Sequence, residues 1–201
     1  MRKNSNICIV GNKVILVPYR KKHVKKYHFW MQSTELQNLT GSDPLSEEQE
    51  YEMQQTWRDD EDKCTFIILD KQIMTENNDE IDAMIGDTNL YLKYEDGFLN
   101  AETGIMVAEP KARRCGMGQE AMLLMFHYGV EELNVVKYIA KISMSNVQSL
   151  QMFKKFGFET ESKSDVFQEV TLVKSVSDEW KEWLNKEIFN IQILKYCDND
   201  E

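Results

Sequence analysis

The order of predicted elements along the chain indicates an α/β or α+β domain, with a mixed sheet between two layers of helices. Three observations carry this prediction. Helical patterns come early in the sequence, a meander of short apolar strands occupies the middle, and a strand–helix–strand–helix–strand unit closes the core. The chain has 201 residues, so we expect one domain over residues 1–201, with its core at about residues 12–175.

The N-terminal part contains one predicted strand and two predicted helices. A β-branched run at residues 14–17 predicts the strand. Apolar residues at helical spacing predict a helix over residues 21–32. Ser46 and Gln49 are spaced as a capping box, which predicts a second helix that begins after Ser46 and runs to Trp57.

The middle of the chain is predicted to be mostly strand. Residues 64–70 form a short apolar run that is typical of a buried strand. Residues 71–82 are polar, and we expect a mobile loop there. Residues 83–92 and 99–108 are the next two strands, and the dipeptide Asp96-Gly97 between them is typical of a hairpin turn.

Helices and strands alternate in the C-terminal half. In order, the predicted elements are a helix over residues 117–133, a strand over 135–142, a helix over 146–156 that Gly157 ends, a strand pair over 158–161 and 166–174, an amphipathic helix over 177–191 and an acidic tail over 198–201. The last helix has Trp180, Trp183 and Leu184 on one face, which predicts that it packs on its own domain.

The composition is acidic. There are 34 Asp and Glu residues against 24 Lys and Arg residues, which gives a formal net charge of −10. Nucleic acids and anionic membrane surfaces repel such a chain, so we expect neither as a partner, whereas a basic substrate is compatible. The sequence also lacks an apolar run of the roughly 18 residues that a membrane span requires.

Cysteine and histidine usage indicates an intracellular protein without a metal site. The four cysteines lie far apart and form no CxxC pair, which is typical of free thiols in a reducing compartment. The three histidines show neither an HExxH pattern nor i,i+4 spacing. We therefore expect no bound metal and a cytoplasmic location.

Residues 113–118, with the sequence RRCGMG, lie between a predicted strand and a predicted helix. Glycines let a backbone approach a ligand closely, and the first amides of the following helix have no acceptor within the helix. With Lys111 and two arginines, this segment is a candidate anion cradle, above all for phosphate. It matches neither the P-loop nor the full dinucleotide fingerprint. An ordinary strand-to-helix turn with solvated arginines would produce the same short pattern, so both interpretations stay open for the loop alone.

A second pattern follows the glycine loop. The sequence NVQS at residues 146–149 begins 28 residues after Gly118, and KFGF follows at residues 155–158. The ordered pair of patterns resembles motifs A and B of the GCN5-related N-acetyltransferase (GNAT) family. The resemblance implies the GNAT fold, in which a central mixed, mostly antiparallel sheet splays between its fourth and fifth strands and is flanked by helices. Here those strands are residues 99–108 and 135–142.

The rest of the chain extends the resemblance to one branch of the family. The stretches NKVILVPY, YHFWM, EQEYEMQ, DKCTFI and VFQEVTL, within residues 12–172, are similar to members that acetylate protein N-termini, including those directed at tubulin. This resemblance implies acetyl-CoA as co-substrate and a protein or peptide N-terminus as acceptor, with tubulin suspected and a possible place on microtubules. Tubulin chains begin Met-Arg-Glu, and an acidic cleft in this chain would hold that arginine.

The resemblance also assigns the parts of acetyl-CoA to segments of this chain. The diphosphate would lie on the amides of residues 114–119, the pantetheine along the splayed strand near Met106 and Val107, and the cysteamine end near Asn146 and Ser149. The residues implied in cofactor binding are Met106, Val107, Arg113, Arg114, Cys115, Gly116, Met117, Gly118, Gln119, Asn146, Ser149 and Phe153.

Acyl transfer to an amine needs a neutral amine, and a carboxylate is the obvious base. Glu102 is the first candidate, because strand alternation places it on the same face as Met106. Asp87, on the neighbouring predicted strand, is the second. Deprotonating an α-amine at pH 7 requires roughly 1.4 kcal/mol, against more than about 4 kcal/mol for a lysine, so a site with one base favours an α-amine.

Phe153 stands where the family often has a tyrosine that protonates the departing thiolate. Because a thiol pKa of about 8.5 lets the thiolate leave unaided, we expect slower or differently arranged catalysis. Two alternatives stay open. One is a microtubule-associated binding protein that keeps the fold with weak or no catalysis, and the other is a small-amine acetyltransferase, which a narrow enclosed acceptor cleft would favour. The sequence leaves the oligomeric state unassigned.

Overall fold

One β-sheet of nine strands lies at the centre of the computed structural model, which describes residues 1–188 and 190–197. In chain order the strands are β1 (Ile7–Val10), β2 (Val14–Pro18), β3 (Lys63–Asp70), β4 (Met84–Glu95), β5 (Phe98–Val107), β6 (Lys137–Ser143), β7 (Glu159–Ser164), β8 (Glu169–Ser175) and β9 (Gln192–Lys195). Across the sheet they lie in the order β7-β8-β6-β5-β4-β3-β2-β1-β9. The neighbouring strands are antiparallel except β5 and β6, which are parallel.

Helices cover both faces of this sheet. Within the described residues they are α1 (Val24–Met31), α2 (Thr34–Thr40), α3 (Glu47–Asp59), α4 (Lys71–Asn77), α5 (Glu80–Ala83), α6 (Met117–Glu131), α7 (Val147–Lys155) and α8 (Asp178–Glu187), with 3₁₀ turns at Arg2–Asn4, Lys21–His23 and Pro110–Ala112. Helices α6, α7 and α8 share one apolar cluster with the sheet, and α1 to α5 share a second. The predicted mixed sheet between two helical layers is confirmed.

Local capping explains where two helices begin. The predicted capping box is present, since Ser46 Oγ accepts a hydrogen bond from Gln49 N at 3.3 Å and Gln49 Oε1 accepts one from Ser46 N at 2.9 Å. Asn146 caps α7, with its Oδ1 accepting from Ser149 N at 3.1 Å. Motif B therefore fixes the start of a helix that lies beside the splayed strands.

β5 and β6 pair over a short distance and then separate. Residues 100–102 of β5 lie opposite residues 137–139 of β6. Beyond Glu102, β5 stays with β4 as far as Val107, while β6 continues with β8 as far as Ser143. The predicted splay between these two strands is confirmed, and it leaves an open strand edge on β5 that can accept another extended chain.

The prediction of a mobile loop over residues 71–82 is wrong, because two aspartates cap helices there. Asp70 Oδ1 accepts from Gln72 N at 2.8 Å and from Ile73 N at 3.3 Å, which starts α4. Asp79 Oδ1 accepts from Ile81 N at 2.7 Å, which starts α5. The polar composition of the segment reflects helices whose outer faces meet solvent.

The two ends of the sheet also differ from expectation. β1 precedes the strand that was expected to be first, and α2 was not predicted. The C-terminal helix ends at Glu187 instead of continuing to residue 191, and β9 follows it and pairs with β1. The predicted acidic tail over residues 198–201 lies outside the described residues. In the described parts of the chain, no helix is long and apolar enough to cross a membrane.

Candidate active site

The glycine loop brings the amide end of α6 against the end of β5. Gly116 precedes the helix with φ of +82°, a conformation that favours glycine. A Cβ on Gly118 would lie 3.1 Å from Val107 Cγ2 and 3.6 Å from Ile105 Cδ1. Because a larger residue would push the helix away from β5, glycine keeps the first amides of α6 beside the open strand edge.

Lys13, in the β1–β2 turn, brings a further positive charge to this loop. Its Nζ donates to the carbonyl of Cys115 at 2.7 Å. Glu120, in the first turn of α6, holds that β1–β2 turn by accepting from the backbone N of Asn12 (3.0 Å), Lys13 (2.7 Å) and Val14 (2.9 Å). Sequence reasoning missed Lys13 and Glu120, because about a hundred residues separate them along the chain.

The guanidinium of Arg113 is held by the protein rather than by solvent. Nε donates to Val107 O at 2.9 Å, Nη2 to Ala108 O at 3.4 Å, and Nη1 forms an ion pair with Glu35 of α2 at 2.8 Å. The side chain of Arg114 is exposed, and its backbone has φ of +63°. The two arginines of the motif therefore differ in position, with one bracing the end of β5 and the other available at the surface.

A groove of about 1010 Å³ runs between β5, α6, α7 and α2. Most of the residues predicted for cofactor binding line it, namely Met106, Val107, Arg113, Arg114, Gly118, Gln119, Asn146 and Ser149. Cys115 and Gly116 in the adjoining loop and Met117 at the start of α6 do not line the groove. The splay, the glycine loop and motif B thus form one continuous surface.

A second cavity, of about 280 Å³, lies on the other side of the splay. Its wall includes Tyr27, Trp57, Tyr91 and Phe153, together with both predicted bases. The groove and this cavity share six lining residues: Leu39, Thr40, Ile105, Met106, Asn146 and Ser149. Two ligands that enter from opposite sides would therefore meet beside β5.

Asp87 and Glu102 are both in the second cavity but in different environments. Asp87 lies opposite Met106 and Glu102 opposite Tyr91 in the β4–β5 register, so all four side chains share one face of the sheet. The side chain of Glu102 is 40% exposed and forms an ion pair with Lys141 Nζ at 2.7 Å. Asp87 is 3% exposed and accepts from Asn89 Nδ2 at 3.4 Å. Burial raises the pKa of Asp87 to about 6.

Lys63 is a buried cation in the same region. Its side chain is nearly inaccessible, its Nζ donates to the hydroxyl of Tyr91, and it lies 3.3 Å from the centre of the Trp57 ring. Burial lowers the pKa of Lys63 to about 8, against the opposing effect of the Asp87 charge. Sequence reasoning missed Lys63, although its register opposite Tyr91 places it on the face that holds Glu102.

The two-sided passage, with a phosphate-type cradle at one end and carboxylates at the other, has the layout of a two-substrate transferase. A family model described as an acetyltransferase (GNAT) domain matches residues 13–159. The chain belongs to the GNAT acetyltransferase family. It is therefore an N-acetyltransferase, and acetyl-CoA is its co-substrate.

Relatives and solved structures agree with this assignment. A Nematostella vectensis protein named N-acetyltransferase 9-like protein is 51% identical over 86% of this chain and 87% of its own length. A Homo sapiens protein named Alpha/beta-tubulin-N-acetyltransferase 9 is 45% identical over 98% of this chain and 97% of its own. A Vibrio cholerae spermidine N-acetyltransferase, solved with CoA and spermine, matches with a TM-score of 0.69 at 16% identity over 81% of this chain and 95% of that one. At that identity the likeness concerns the fold.

The residues of the groove fit the co-substrate of a GNAT enzyme. The first turn of α6, which has no side-chain cap, lines the groove at Gly118 and Gln119 together with the exposed Arg114, and Lys13 contacts the adjoining loop at Cys115. This arrangement suits the phosphates. The open edge of β5 can pair with the amides of pantetheine. Among the described residues, no group of histidine, cysteine, aspartate and glutamate side chains is arranged to hold a metal ion.

Phe153 has no group that could protonate a thiolate, and the structure shows how it is held. It lies in an aromatic cluster, with ring centres 5.0 Å from Phe158, 5.9 Å from Phe156 and 6.3 Å from Phe126. Its side chain is 2% exposed and forms part of the wall of the second cavity. The residue seals the apolar side of the passage.

Glu50 is a further carboxylate that sequence reasoning missed. It lines the second cavity from α3, is 2% exposed, and burial raises its pKa to about 7. A usable signal was present in the sequence: Glu50, Gln54 and Trp57 are spaced i, i+4 and i+7, which places a carboxylate on the inward face of α3.

Proposed function

We propose that this N-acetyltransferase transfers acetyl groups to the α-amine of a protein N-terminus, and that tubulin is the acceptor. The observation that carries the proposal is the carboxylate wall of the second cavity. Among the described residues that line it, four carry carboxylates, Asp43, Glu50, Asp87 and Glu102, against one lysine, Lys141. Such a wall attracts a cationic chain end, and the names of the relatives point to tubulin.

We assign the role of base to Asp87 in preference to Glu102. A base works best when its pKa lies near the working pH, and burial brings the pKa of Asp87 to about 6. Glu102 is more exposed and its charge is already paired with Lys141. Asp87 would take one proton from the acceptor's ammonium group and release it to solvent, leaving a neutral amine beside Met106.

Acetyl-CoA supplies the thioester: the amine nitrogen bonds to its carbonyl carbon, the C–S bond breaks, and the CoA thiolate leaves with the electron pair. The attacking nitrogen then loses a second proton, and the CoA thiolate takes up one proton, so the number of protons balances. Residues of this chain position the amine and the thioester for this reaction. Met106 lies where groove and cavity meet, and the amides of α6 would hold the phosphates at the other end.

The second residue of the acceptor would be recognised by the charge of its side chain. A Met-Arg terminus would place its arginine among the carboxylates at the cavity, where Asp43 is exposed. Reversing the charge of Asp43 to lysine should weaken Met-Arg peptides more than Met-Glu peptides, and equal losses would contradict this. An enzyme acting on tubulin would lie in the cytoplasm, on or near microtubules.

The test is acetyl transfer followed by mass spectrometry. The acceptors are a Met-Arg-Glu peptide with a free N-terminus, the same peptide blocked at the N-terminus but carrying an internal lysine, and spermidine. Acetylation of the free α-amine alone would support the proposal. Acetylation of spermidine in preference to the peptide would support the small-amine alternative. Binding of acetyl-CoA without transfer to any acceptor would support a microtubule-associated binding protein.

A further inference from the structure

Glu50 is a buried carboxylate with an unused hydrogen-bond acceptor. Within residues 1–188 and 190–197, its Oε2 is inaccessible to solvent and has no hydrogen-bond partner. Buried polar atoms in folded proteins are nearly always paired, and burying a carboxylate without compensation is costly. Glu50 also lines the second cavity, so its carboxylate belongs to the wall of the space where an acceptor would lie.

The surroundings of Glu50 contain a second unpaired group. The hydroxyl of Tyr19 is buried without a partner in the described structure. The ring of Tyr19 lies 5.1 Å from the ring of Tyr27, and Tyr27 lines the second cavity together with Glu50 and Asp87. Burial, with a smaller effect of the two carboxylate charges, raises the pKa of Tyr19. Besides Glu50, the titratable groups that line this space are Tyr27, Asp43, Asp87, Tyr91, Glu102 and Lys141, and Tyr19 lies behind Tyr27.

The missing partner has the character of a hydrogen-bond donor with positive charge. A primary ammonium carries three donors and no acceptor, which suits a pocket that offers carboxylate oxygens. Lys63 is the nearby buried cation, and its ammonium group is directed to Tyr91 and Trp57 instead. The apolar lining from Tyr27, Met53 and Trp57 would pack on the first side chain of a peptide.

We propose that the carboxylate of Glu50, which lacks a partner for Oε2 in the described structure, binds the ammonium group of the acceptor, while Asp87 takes the proton. This inference rests on the proposed function and adds an acceptor-binding residue to it. Glu50 then holds the charged amine in place, and Asp87 removes its proton.

Binding can be measured without any turnover. The protein saturated with CoA is titrated by calorimetry with a free Met-Arg-Glu peptide and with the N-acetylated peptide. The wild type should prefer the free peptide by roughly 10- to 100-fold, as expected for a charge-assisted hydrogen bond. Glu50→Gln should lose most of that preference. Glu52→Gln, at an exposed position on the same helix, is the matched control and should keep it.

Kinetics gives a second readout. Glu50→Gln should raise the KM for the peptide by roughly 10-fold or more, with little change in kcat or in the KM for acetyl-CoA. The acidic limb of the kcat/KM profile should move from near pH 7 toward pH 6, where Asp87 titrates. An unchanged peptide KM, or an unchanged preference for the free peptide, would overturn the inference. Failure of the wild type to acetylate any peptide would refute the proposed function alone, since the calorimetric preference is measured without transfer.

Discussion

Replacing Asp87 by asparagine should remove activity and make the protein more stable. Asparagine has nearly the same shape and keeps a hydrogen-bonding oxygen, so the change isolates the charge. In the folded protein, burial raises the pKa of Asp87 from 3.8 to about 6. A carboxyl whose folded pKa is raised stabilises the fold fully below its unfolded pKa, and that contribution is lost as the pH rises through about 6.

The magnitude follows from the shift. The pKa of Asp87 rises by about two units on folding. At pH 8, where Asp87 is ionised, this rise lowers the free energy of unfolding of the wild type by about 3 kcal/mol. The pKa of about 6 already includes the hydrogen bond from Asn89 and the attraction of Lys63, both of which lower it. The Asp87→Asn variant, which resembles the protonated carboxyl, should therefore gain up to about 3 kcal/mol, or about 6–12 °C in Tm for a chain of this size.

The assay compares wild type, Asp87→Asn and Asp165→Asn by thermal unfolding between pH 4 and pH 8. Asp165 is an exposed residue of the β7–β8 turn and serves as the control for loss of one charge. The Tm advantage of Asp87→Asn should be largest at pH 8 and disappear near pH 4, where wild-type Asp87 is protonated. The acetyl-transfer rate should fall by about 10²–10⁴-fold. An advantage that does not depend on pH, or a less stable variant at pH 8, would refute the reasoning.

Three further predictions concern the strands and the glycine loop. Gly86→Ala should lower the free energy of unfolding by about 3 kcal/mol or more in urea denaturation, because its Cβ would lie 1.9 Å from the carbonyl oxygen of Met106; a loss below about 1 kcal/mol would contradict this. Lys13→Ala should weaken CoA binding in calorimetry by about 3–10-fold through loss of a charge-assisted contact, and unchanged affinity would leave Lys13 only its bond to Cys115. Glu102→Gln should reduce the acetyl-transfer rate by less than about 10-fold, since a paired, exposed carboxylate contributes little, and a loss equal to that of Asp87→Asn would make Glu102 the base.

Features written in a few neighbouring residues were predictable. The capping box at Ser46, the end of the helix at Gly157 and the glycine loop at residues 113–118 each depend on local hydrogen bonds and backbone geometry, so short patterns suffice to find them. The same rule explains one error. Asp70 and Asp79 are helix caps of the same kind, but they begin helices of only seven and four residues, too short to show a clear apolar period.

Features that depend on register and tertiary packing were not predictable from the chain alone. Lys63 contacts Tyr91, a residue of the second cavity, because β3 and β4 pair with Lys63 opposite Tyr91. β9 exists because the chain returns after α8 to the free edge of β1. Neither pairing produces a recognisable pattern in the sequence near the strand concerned. The resemblance to the family predicted the splay between β5 and β6, but it did not predict that Glu50 lines the second cavity or that Lys63 lies beside it.

The second cavity and the strand beside it hold three ionisable side chains that are almost fully buried, and their pKa values are consistent with the proposed transfer to an α-amine. Asp87, Glu50 and Lys63 have pKa values of about 6, 7 and 8. Moving a proton from an α-ammonium with a pKa of about 8 to an ordinary aspartate requires about 6 kcal/mol, and the raised pKa of Asp87 reduces this to about 3 kcal/mol. The same transfer from a lysine with a pKa of about 10.4 still requires about 6 kcal/mol. Burial of Asp87 therefore destabilises the fold but brings the pKa of this carboxylate closer to the pKa of an N-terminal amine. The gap to the pKa of a lysine side chain stays large.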